Sequence, residues 1–158
     1  MIKTNAVRIL DRLAINYELR EYQVNPDDLS AERVAAKIGL APEQVFKTLV
    51  VHGDRNGICL AVISANQELD VKALARKTGD RKIEMVPLKE VQALTGYVRG
   101  GVTALACKKD YPVYIDELAE VCDVISLSAG IRGLQILLAP ADYIRAVKAT
   151  VAAISKAK

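Results

Sequence analysis

Two apolar runs joined by a tight turn constrain the fold of this chain more than any other feature. The run FKTLVVH occupies residues 46–52, and the run ICLAVIS occupies residues 58–64. Between them lies the segment DRNG, and an Asn-Gly pair between two such runs strongly indicates a β-hairpin. Because both runs are apolar almost throughout, the hairpin is predicted to lie in the centre of a sheet.

Lys47 places a charge inside the first of these runs. Side chains alternate across a strand, so Lys47 shares a face with Val45, Leu49 and Val51. A buried ammonium without a partner is costly, so Lys47 either extends its head to solvent or meets an anion. The pattern alone favours extension to solvent, and an anionic ligand is the sharper alternative.

Length and composition indicate one soluble domain spanning residues 1–158. The chain has 158 residues, of which 51% are hydrophobic and 26% are charged, enough for one core. It contains neither a membrane-length apolar run nor a secretory N-terminus, so we expect it in the cytoplasm. The net charge of +3 comes with basic residues clustered only in pairs, which indicates contact with a few phosphates at most.

Turn and cap residues divide the rest of the chain into about seven strands and five helices. Thr4, Ser30 and Asp70 are predicted helix N-caps, and the segment PADYIRAVKATVAAI, residues 140–154, is predicted to be the closing helix. Strands and helices interleave without strict alternation. We therefore predict a mixed α/β fold, with a largely antiparallel, barrel-like sheet of six to seven strands and flanking helices.

Few residues in this sequence are suited to nucleophilic or metal chemistry. His52 is the only histidine, and it is predicted to lie on the opposite strand face from Lys47. The three cysteines are widely spaced and match neither a disulfide framework nor a zinc site, so we expect reduced thiols, no metal and no cofactor. The glycine-rich loop GYVRGGVTALA, residues 96–106, could expose backbone N–H groups to an anion or could be an ordinary turn.

Five segments spread over nearly the whole chain are informative together: VFKTLVV, ELDVKALA, TGYVRGGV, YPVYID and SAGIRGLQILL. In their order and rough spacing they resemble the YbaK family of aminoacyl-tRNA deacylases, which includes editing domains associated with prolyl-tRNA synthetase. The resemblance implies a mixed α/β fold around a barrel-like sheet. By this resemblance, the expected catalytic residues are Lys47, Gly100 and Gly101, and the expected substrate-binding residues are Tyr22, Phe46, Thr48, Ser128, Gly130 and Arg132.

The activity that this resemblance implies is hydrolytic editing of mischarged tRNA, most notably Cys-tRNA(Pro). Lys47 is expected to contact the tRNA acceptor end, and prolyl-tRNA synthetase is an expected partner. The substrate's own thiol would attack the ester, so the protein would need a shaped pocket and no metal, cofactor or nucleophile. Backbone N–H groups at Gly100 and Gly101 could stabilise the developing oxyanion.

One departure from the family pattern leaves the edited amino acid open, and a second, at Gln135, carries little weight. Thr103-Ala104 replaces a common Ser-Pro or Thr-Pro, and Gln135 occupies a position that is acidic in some relatives. One alternative is an editing deacylase for alanine or another small amino acid that uses water. Another is a module that binds tRNA or a nucleotide without cleaving it.

Overall fold

The central hairpin organises the fold, which a computed structural model describes for residues 3–158. The helices are α1 (Asn5–Arg12), α2 (Ala31–Ile38), α3 (Val71–Thr78), α4 (Leu88–Thr95) and α5 (Pro140–Val147). The strands are β1 (Glu18–Glu21), β2 (Phe46–Gly53), β3 (Gly57–Ser64), β4 (Gln67–Leu69), β5 (Ile83–Met85), β6 (Val113–Asp116), β7 (Ile125–Ser128), β8 (Leu134–Leu138), β9 (Thr150–Ala152) and β10 (Ser155–Ala157). Short 3₁₀ helices span Pro42–Gln44 and Glu117–Val121.

The predicted hairpin is confirmed as the antiparallel pair β2 and β3. Its register runs from Phe46 opposite Ser64 to Gly53 opposite Gly57. Gly57 has a φ of +77°, a conformation that a glycine adopts without steric cost. In the larger sheet the strand order is β5-β2-β3-β6-β9, with β5 antiparallel to β2 and with β3, β6 and β9 mutually parallel. The hairpin is therefore central, as expected.

The other strands form two smaller sheets rather than one barrel. Strands β1, β8 and β7 pair antiparallel in that order, and β10 pairs with β4. A single parallel bridge between Val45 and Ser126 connects the start of β2 to β7. The fold class is the predicted mixed α/β class, but over residues 3–158 the strands divide into sheets of five, three and two instead of closing into one barrel-like sheet.

The predicted helix N-caps are confirmed for three helices. The side chains of Thr4, Ser30 and Asp70 each accept a hydrogen bond from the backbone N–H three residues further on. These bonds satisfy N–H groups that would otherwise have no partner within the helix. The Ser30 cap matters most here, because it fixes where α2 begins beside the cavity described below.

The C-terminal segment differs from the predicted closing helix. Helix α5 ends at Val147, Lys148 adopts a left-handed conformation with a φ of +54°, and the chain then enters β9 and β10. The Asp116 carboxylate accepts hydrogen bonds from the N–H groups of Ile154 and Ser155, both at 2.9 Å. Tertiary hydrogen bonds to a buried carboxylate and pairing with β6 and β4 thus outweigh the helical periodicity.

Both faces of the hairpin are buried. Phe46 and Val50 pack in the main hydrophobic core, whereas Val51 and Ile63 pack in a second cluster with Leu74 of α3. The strand bearing Lys47 is therefore fixed by packing on both sides, which restricts where its ammonium can lie.

No helix within residues 3–158 is long and apolar enough to span a membrane.

Candidate active site

A cavity of about 310 Å³ lies at the start of β2, between the N-terminal end of α2 and the glycine-rich loop. The predicted site residues that line it are Phe46, Lys47, Thr48, Gly100 and Ser128. They come from β2, the loop before β6 and the end of β7, segments that are far apart in the sequence. The fold thus brings together five of the nine residues predicted for the site.

Lys47 is half-buried in this cavity rather than extended into solvent. Its ammonium donates a hydrogen bond to the carbonyl oxygen of Ala65, 3.2 Å away. Burial lowers the pKa of Lys47, and the nearby charge of Lys158 lowers it further, while Glu32 acts in the opposite direction. Among the ion pairs of residues 3–158, Glu32 pairs with Lys158 and Lys47 takes no part. An anion entering the cavity would supply the counter-charge that Lys47 lacks.

Gly100 and Gly101 occupy different positions in one turn. The N–H of Gly101 donates to the carbonyl of Val98 at 2.9 Å, so it is already used in closing the turn. The Gly100 N–H has no such acceptor within residues 3–158, and its φ is +89°. The expectation that both glycines donate to an oxyanion is therefore corrected: the arrangement leaves only the Gly100 N–H available.

Ser128 and Gly130 form a small hydrogen-bonded turn after β7. The N–H of Gly130 donates to the Ser128 hydroxyl oxygen at 3.1 Å, while Ser128 itself lines the cavity. A Cβ on Gly130 would lie 3.0 Å from Cε1 of Tyr97. Gly130 therefore contributes by permitting close packing against Tyr97 and by holding Ser128, and it is not part of the cavity lining.

Tyr22 and Arg132 lie outside the cavity lining. Tyr22 borders a second, more open groove formed by residues 22–26 and Lys37, whose ammonium is 6.0 Å from the centre of the Tyr22 ring. Arg132 is exposed, and its Nε donates to the carbonyl oxygen of Arg99 at 2.8 Å. Their predicted contact with substrate remains a prediction.

Sequence reasoning gave little weight to Gln135, which the structure places in the cavity wall. Gln135 is 5% exposed, and its side-chain oxygen accepts a hydrogen bond from the Ser126 hydroxyl at 2.8 Å. A polar residue in the otherwise apolar strand LQILL was the available indication. Arg99, Glu32 and Lys158 also line the cavity, and no sequence pattern connects them to Lys47.

The cavity carries a positive charge because Lys47, Arg99 and Lys158 face one carboxylate, that of Glu32. The groups expected to be chemically unimportant lie elsewhere: His52 is exposed, and none of the three cysteines lines the cavity. Burial raises the pKa of the Cys59 and Cys107 thiols to about 11. Within residues 3–158, no three His, Cys, Asp or Glu side chains cluster as a metal site would require.

Comparison with known proteins identifies relatives over most of the chain. The family described as the aminoacyl-tRNA editing domain matches residues 25–146. EbsC of Enterococcus faecalis, assigned as a Cys-tRNA(Pro)/Cys-tRNA(Cys) deacylase, is 46% identical over 138 residues, which are 87% of this chain and 84% of that protein. The multifunctional Ser/Thr-tRNA deacylase ProXp-y of Escherichia coli K12 is 31% identical over 118 residues, 72% of this chain and 71% of that protein.

Solved structures confirm the fold. The crystal structure of hypothetical protein APE2540 has a TM-score of 0.88 at 21% identity and covers 97% of this chain and all of that one. A protein described as a trans-editing enzyme for prolyl tRNA synthetase has a TM-score of 0.83 at 22% identity, with 99% of each chain covered. The resemblance inferred from five sequence motifs is thus confirmed by the family match, by the identity to relatives and by the shared fold. The chain belongs to the aminoacyl-tRNA editing domain family.

Proposed function

We propose that this protein is an aminoacyl-tRNA deacylase that acts in trans on mischarged tRNA, with Cys-tRNA(Pro) as its main substrate. One observation carries the proposal: the residues that line one small cavity include Lys47, with a half-buried ammonium, and Gly100, whose N–H has no hydrogen-bond acceptor within residues 3–158. The first suits a phosphate or sugar oxygen of the acceptor end, and the second suits the oxygen of a reacting ester. The name of the E. faecalis relative supports cysteine as the amino acid.

The proposed reaction needs no nucleophile from the protein. The cysteinyl sulfur attacks the ester carbonyl carbon, the bond from that carbon to the ribose oxygen breaks, and the thiol proton ends on the departing ribose oxygen. The products are free tRNA and a cyclic thiolactone, which water can open to cysteine. Well-positioned intramolecular attack reaches effective molarities of roughly 10⁵–10⁸ M, so positioning alone can deliver a large part of the rate.

In this scheme, five residues of the cavity lining bind the substrate directly, with Arg99 beside them, and two neighbouring glycines act indirectly. Lys47 and Arg99 hold the anionic acceptor end, and Gly100 donates to the carbonyl oxygen as negative charge develops on it. Phe46, Thr48 and Ser128 shape the space for the amino acid. Gly101 and Gly130 act indirectly by permitting the close packing of the two turns that carry Gly100 and Ser128.

Single-turnover deacylation of a panel of tRNA(Pro) charged with different amino acids tests the proposal. We expect fast cleavage of Cys-tRNA(Pro) and no cleavage of the same tRNA carrying S-methylcysteine, because methylation removes the attacking thiol. Lys47→Ala should be inactive on every substrate. Cleavage of the S-methylated substrate at the rate of the thiol form would refute the substrate-thiol mechanism.

The same panel separates the alternative functions. Preferential cleavage of Ala-, Ser- or Thr-tRNA would indicate a water-dependent deacylase for small amino acids. The 31% identical relative named as a Ser/Thr-tRNA deacylase supports testing this alternative. Tight tRNA binding without turnover on any substrate would indicate a non-catalytic binding module. We further propose prolyl-tRNA synthetase as a partner in the cytoplasm, which stimulation of the deacylation rate by added synthetase would test.

A further inference from the structure

Two turns pack against each other at the cavity edge. The first, Val98–Gly101, carries Gly100, and the second, residues 130–133, follows Ser128. A Cβ on Gly101 would lie 3.2 Å from Cα of Ile131, and a Cβ on Gly100 would lie 3.2 Å from Cγ of Arg132. The two turns therefore touch over their backbones, and the Arg132 side chain lies across Gly100.

The first turn has the geometry of a type II turn. The N–H of Gly101 donates to the carbonyl of Val98 three residues earlier, and Gly100, in the third position, has a φ of +89°. Arg99 is not among the residues with positive φ. Types I and II differ mainly by a flip of the central peptide, here the one joining Arg99 to Gly100, and glycine at the third position can adopt both.

The orientation of this peptide decides where the Gly100 N–H points. The carbonyl of Arg99 and the N–H of Gly100 belong to one planar trans peptide unit, so they point in opposite directions. Arg132 Nε donates to that Arg99 carbonyl at 2.8 Å. The bond holds the carbonyl toward Arg132, which does not line the cavity, and thereby fixes the N–H on the opposite side of the peptide. It also polarises the peptide, which strengthens the N–H as a donor.

We propose that Arg132 is a positioning residue that locks the Arg99–Gly100 peptide in its type II orientation, so that the Gly100 N–H is aligned before the substrate binds. This inference rests on the proposed deacylase function and deepens it. It differs from a role for Arg132 in attracting tRNA phosphates, because it depends on the Nε–H donor and not on the charge of the guanidinium.

Two substitutions separate the donor from the charge. Arg132→Gln removes the charge but keeps an N–H donor at the same number of bonds from the backbone, since the Gln amide nitrogen follows Cδ as Nε does in arginine. Arg132→Lys keeps the charge but places a methylene at that position. Arg132→Ala removes both, and Arg76→Gln, on the exposed face of α3, controls for loss of one positive charge far from the turns.

The rates are measured in single-turnover deacylation at saturating Cys-tRNA(Pro), with tRNA affinity measured separately. We expect Arg132→Gln to retain most of the parent rate, whereas Arg132→Lys and Arg132→Ala lose about tenfold to a hundredfold, as a misplaced reactive group does. A parent-like rate in Arg132→Lys, or an equal loss in Arg132→Gln and Arg132→Lys, would overturn the inference.

A structural measurement keeps this test independent of the proposed function. In a type II turn, Hα of the second residue lies close to the amide proton of the third, so the nuclear Overhauser effect between Arg99 Hα and Gly100 H^N is strong. We expect a strong effect in the parent and in Arg132→Gln and a weakened one in Arg132→Lys. An unchanged effect in Arg132→Lys would overturn the inference, whereas failure of the parent to deacylate any tRNA would contradict only the proposed function.

Discussion

The ammonium of Lys47 donates a hydrogen bond to the carbonyl oxygen of Ala65 across the end of the hairpin, at 3.2 Å. Lys47 is opposite Ile63 in the β2–β3 register, and Ala65 follows the last residue of β3. The bond thus ties the lysine head to the strand end that borders the cavity. It explains how a charge can stand inside an apolar run: the long side chain lets the ammonium reach a backbone carbonyl in a cavity that also holds the charged residues Glu32, Arg99 and Lys158.

Lys47→Ala should abolish deacylation and leave the fold intact. We expect a loss of about a hundredfold or more in the single-turnover rate and a melting temperature at or above that of the parent, because the half-buried charge is not part of an ion pair. Lys47→Arg, which keeps the charge with different geometry, should retain part of the activity. Near-parental turnover in Lys47→Ala would contradict the assignment of Lys47 to the active site.

Binding of the acceptor end should weaken with rising pH through deprotonation of Lys47. Burial lowers the pKa of this group from its usual 10.5, so its charge is lost at a lower pH than that of an exposed lysine. We expect the affinity for uncharged tRNA to fall as the pH rises from neutrality toward 10.5, and to stay flatter in Lys47→Arg. Stability depends on pH in the opposite direction. Because the pKa of Lys47 is lower in the folded protein than in the unfolded chain, the free energy of unfolding increases as the pH rises through the folded-state pKa. Equal pH profiles for parent and Lys47→Arg would contradict the assignment.

Substitutions of the two glycines should have different consequences. Alanine at position 100 would carry a Cβ at a φ of +89°, a strained conformation that favours flipping the Arg99–Gly100 peptide. Alanine at position 101 would instead press on the backbone of Ile131, with its Cβ 3.2 Å from Cα. We expect Gly100→Ala to lower the single-turnover rate about a hundredfold with little change in tRNA affinity. Gly101→Ala should chiefly lower the melting temperature, and the reverse pattern would contradict this division.

The parts of the fold that sequence predicted correctly are those governed by local chemistry. The Asn-Gly turn, the Ser30 and Asp70 caps and the two apolar runs each act through neighbours in the chain, so their patterns were sufficient. The helix predicted for the region after Val147 was wrong because the conformation of that region depends on Asp116. This residue lies more than thirty residues earlier in the chain and accepts hydrogen bonds from Ile154 and Ser155. A distant carboxylate leaves no trace in the periodicity of a segment.

The candidate site shows the same division. The charge in an apolar strand drew attention to Lys47, but the pattern alone favoured extension to solvent, and the family resemblance assigned Lys47 to the site. The resemblance gave Gly100 more weight than Gly101, but the pattern could not show that their N–H groups differ, because this difference arises from the bond from Gly101 to Val98 and from the positive φ of Gly100. Gln135 was underweighted since its burial beside Ser126 arises from the pairing of β7 with β8.

Replacing all three cysteines should leave deacylation largely intact. Burial raises the pKa of Cys59 and Cys107 to about 11 and also raises that of Cys122, so these thiols are protonated and weakly nucleophilic at neutral pH. We expect the variant Cys59→Ala, Cys107→Ala, Cys122→Ser to cleave Cys-tRNA(Pro) at nearly the parent rate, with or without a chelator. Circular dichroism checks that the protein is folded. Loss of activity in a folded variant would restore a mechanism based on an enzyme thiol.

Gly53→Ala should destabilise the protein without acting on the site. A Cβ at this position would lie 2.2 Å from Oδ2 of Asp80. That carboxylate accepts hydrogen bonds from the N–H groups of Arg55 and Asn56 at 2.8 and 2.7 Å and from the Thr78 hydroxyl at 2.6 Å. The added methyl must therefore displace a group that fixes the hairpin turn to the end of α3.

We expect urea denaturation to show a loss of roughly 1–3 kcal/mol for Gly53→Ala, the usual cost of overpacking. Gly57→Asn is the matched control, because no atom lies within 4 Å of a Cβ there and asparagine tolerates its φ of +77°, so its change should stay within about 0.5 kcal/mol. Because the turn lies at the opposite end of β2 from Lys47, folded Gly53→Ala should deacylate at the parent rate. Unchanged stability would mean that Asp80 can move aside without losing its three hydrogen bonds.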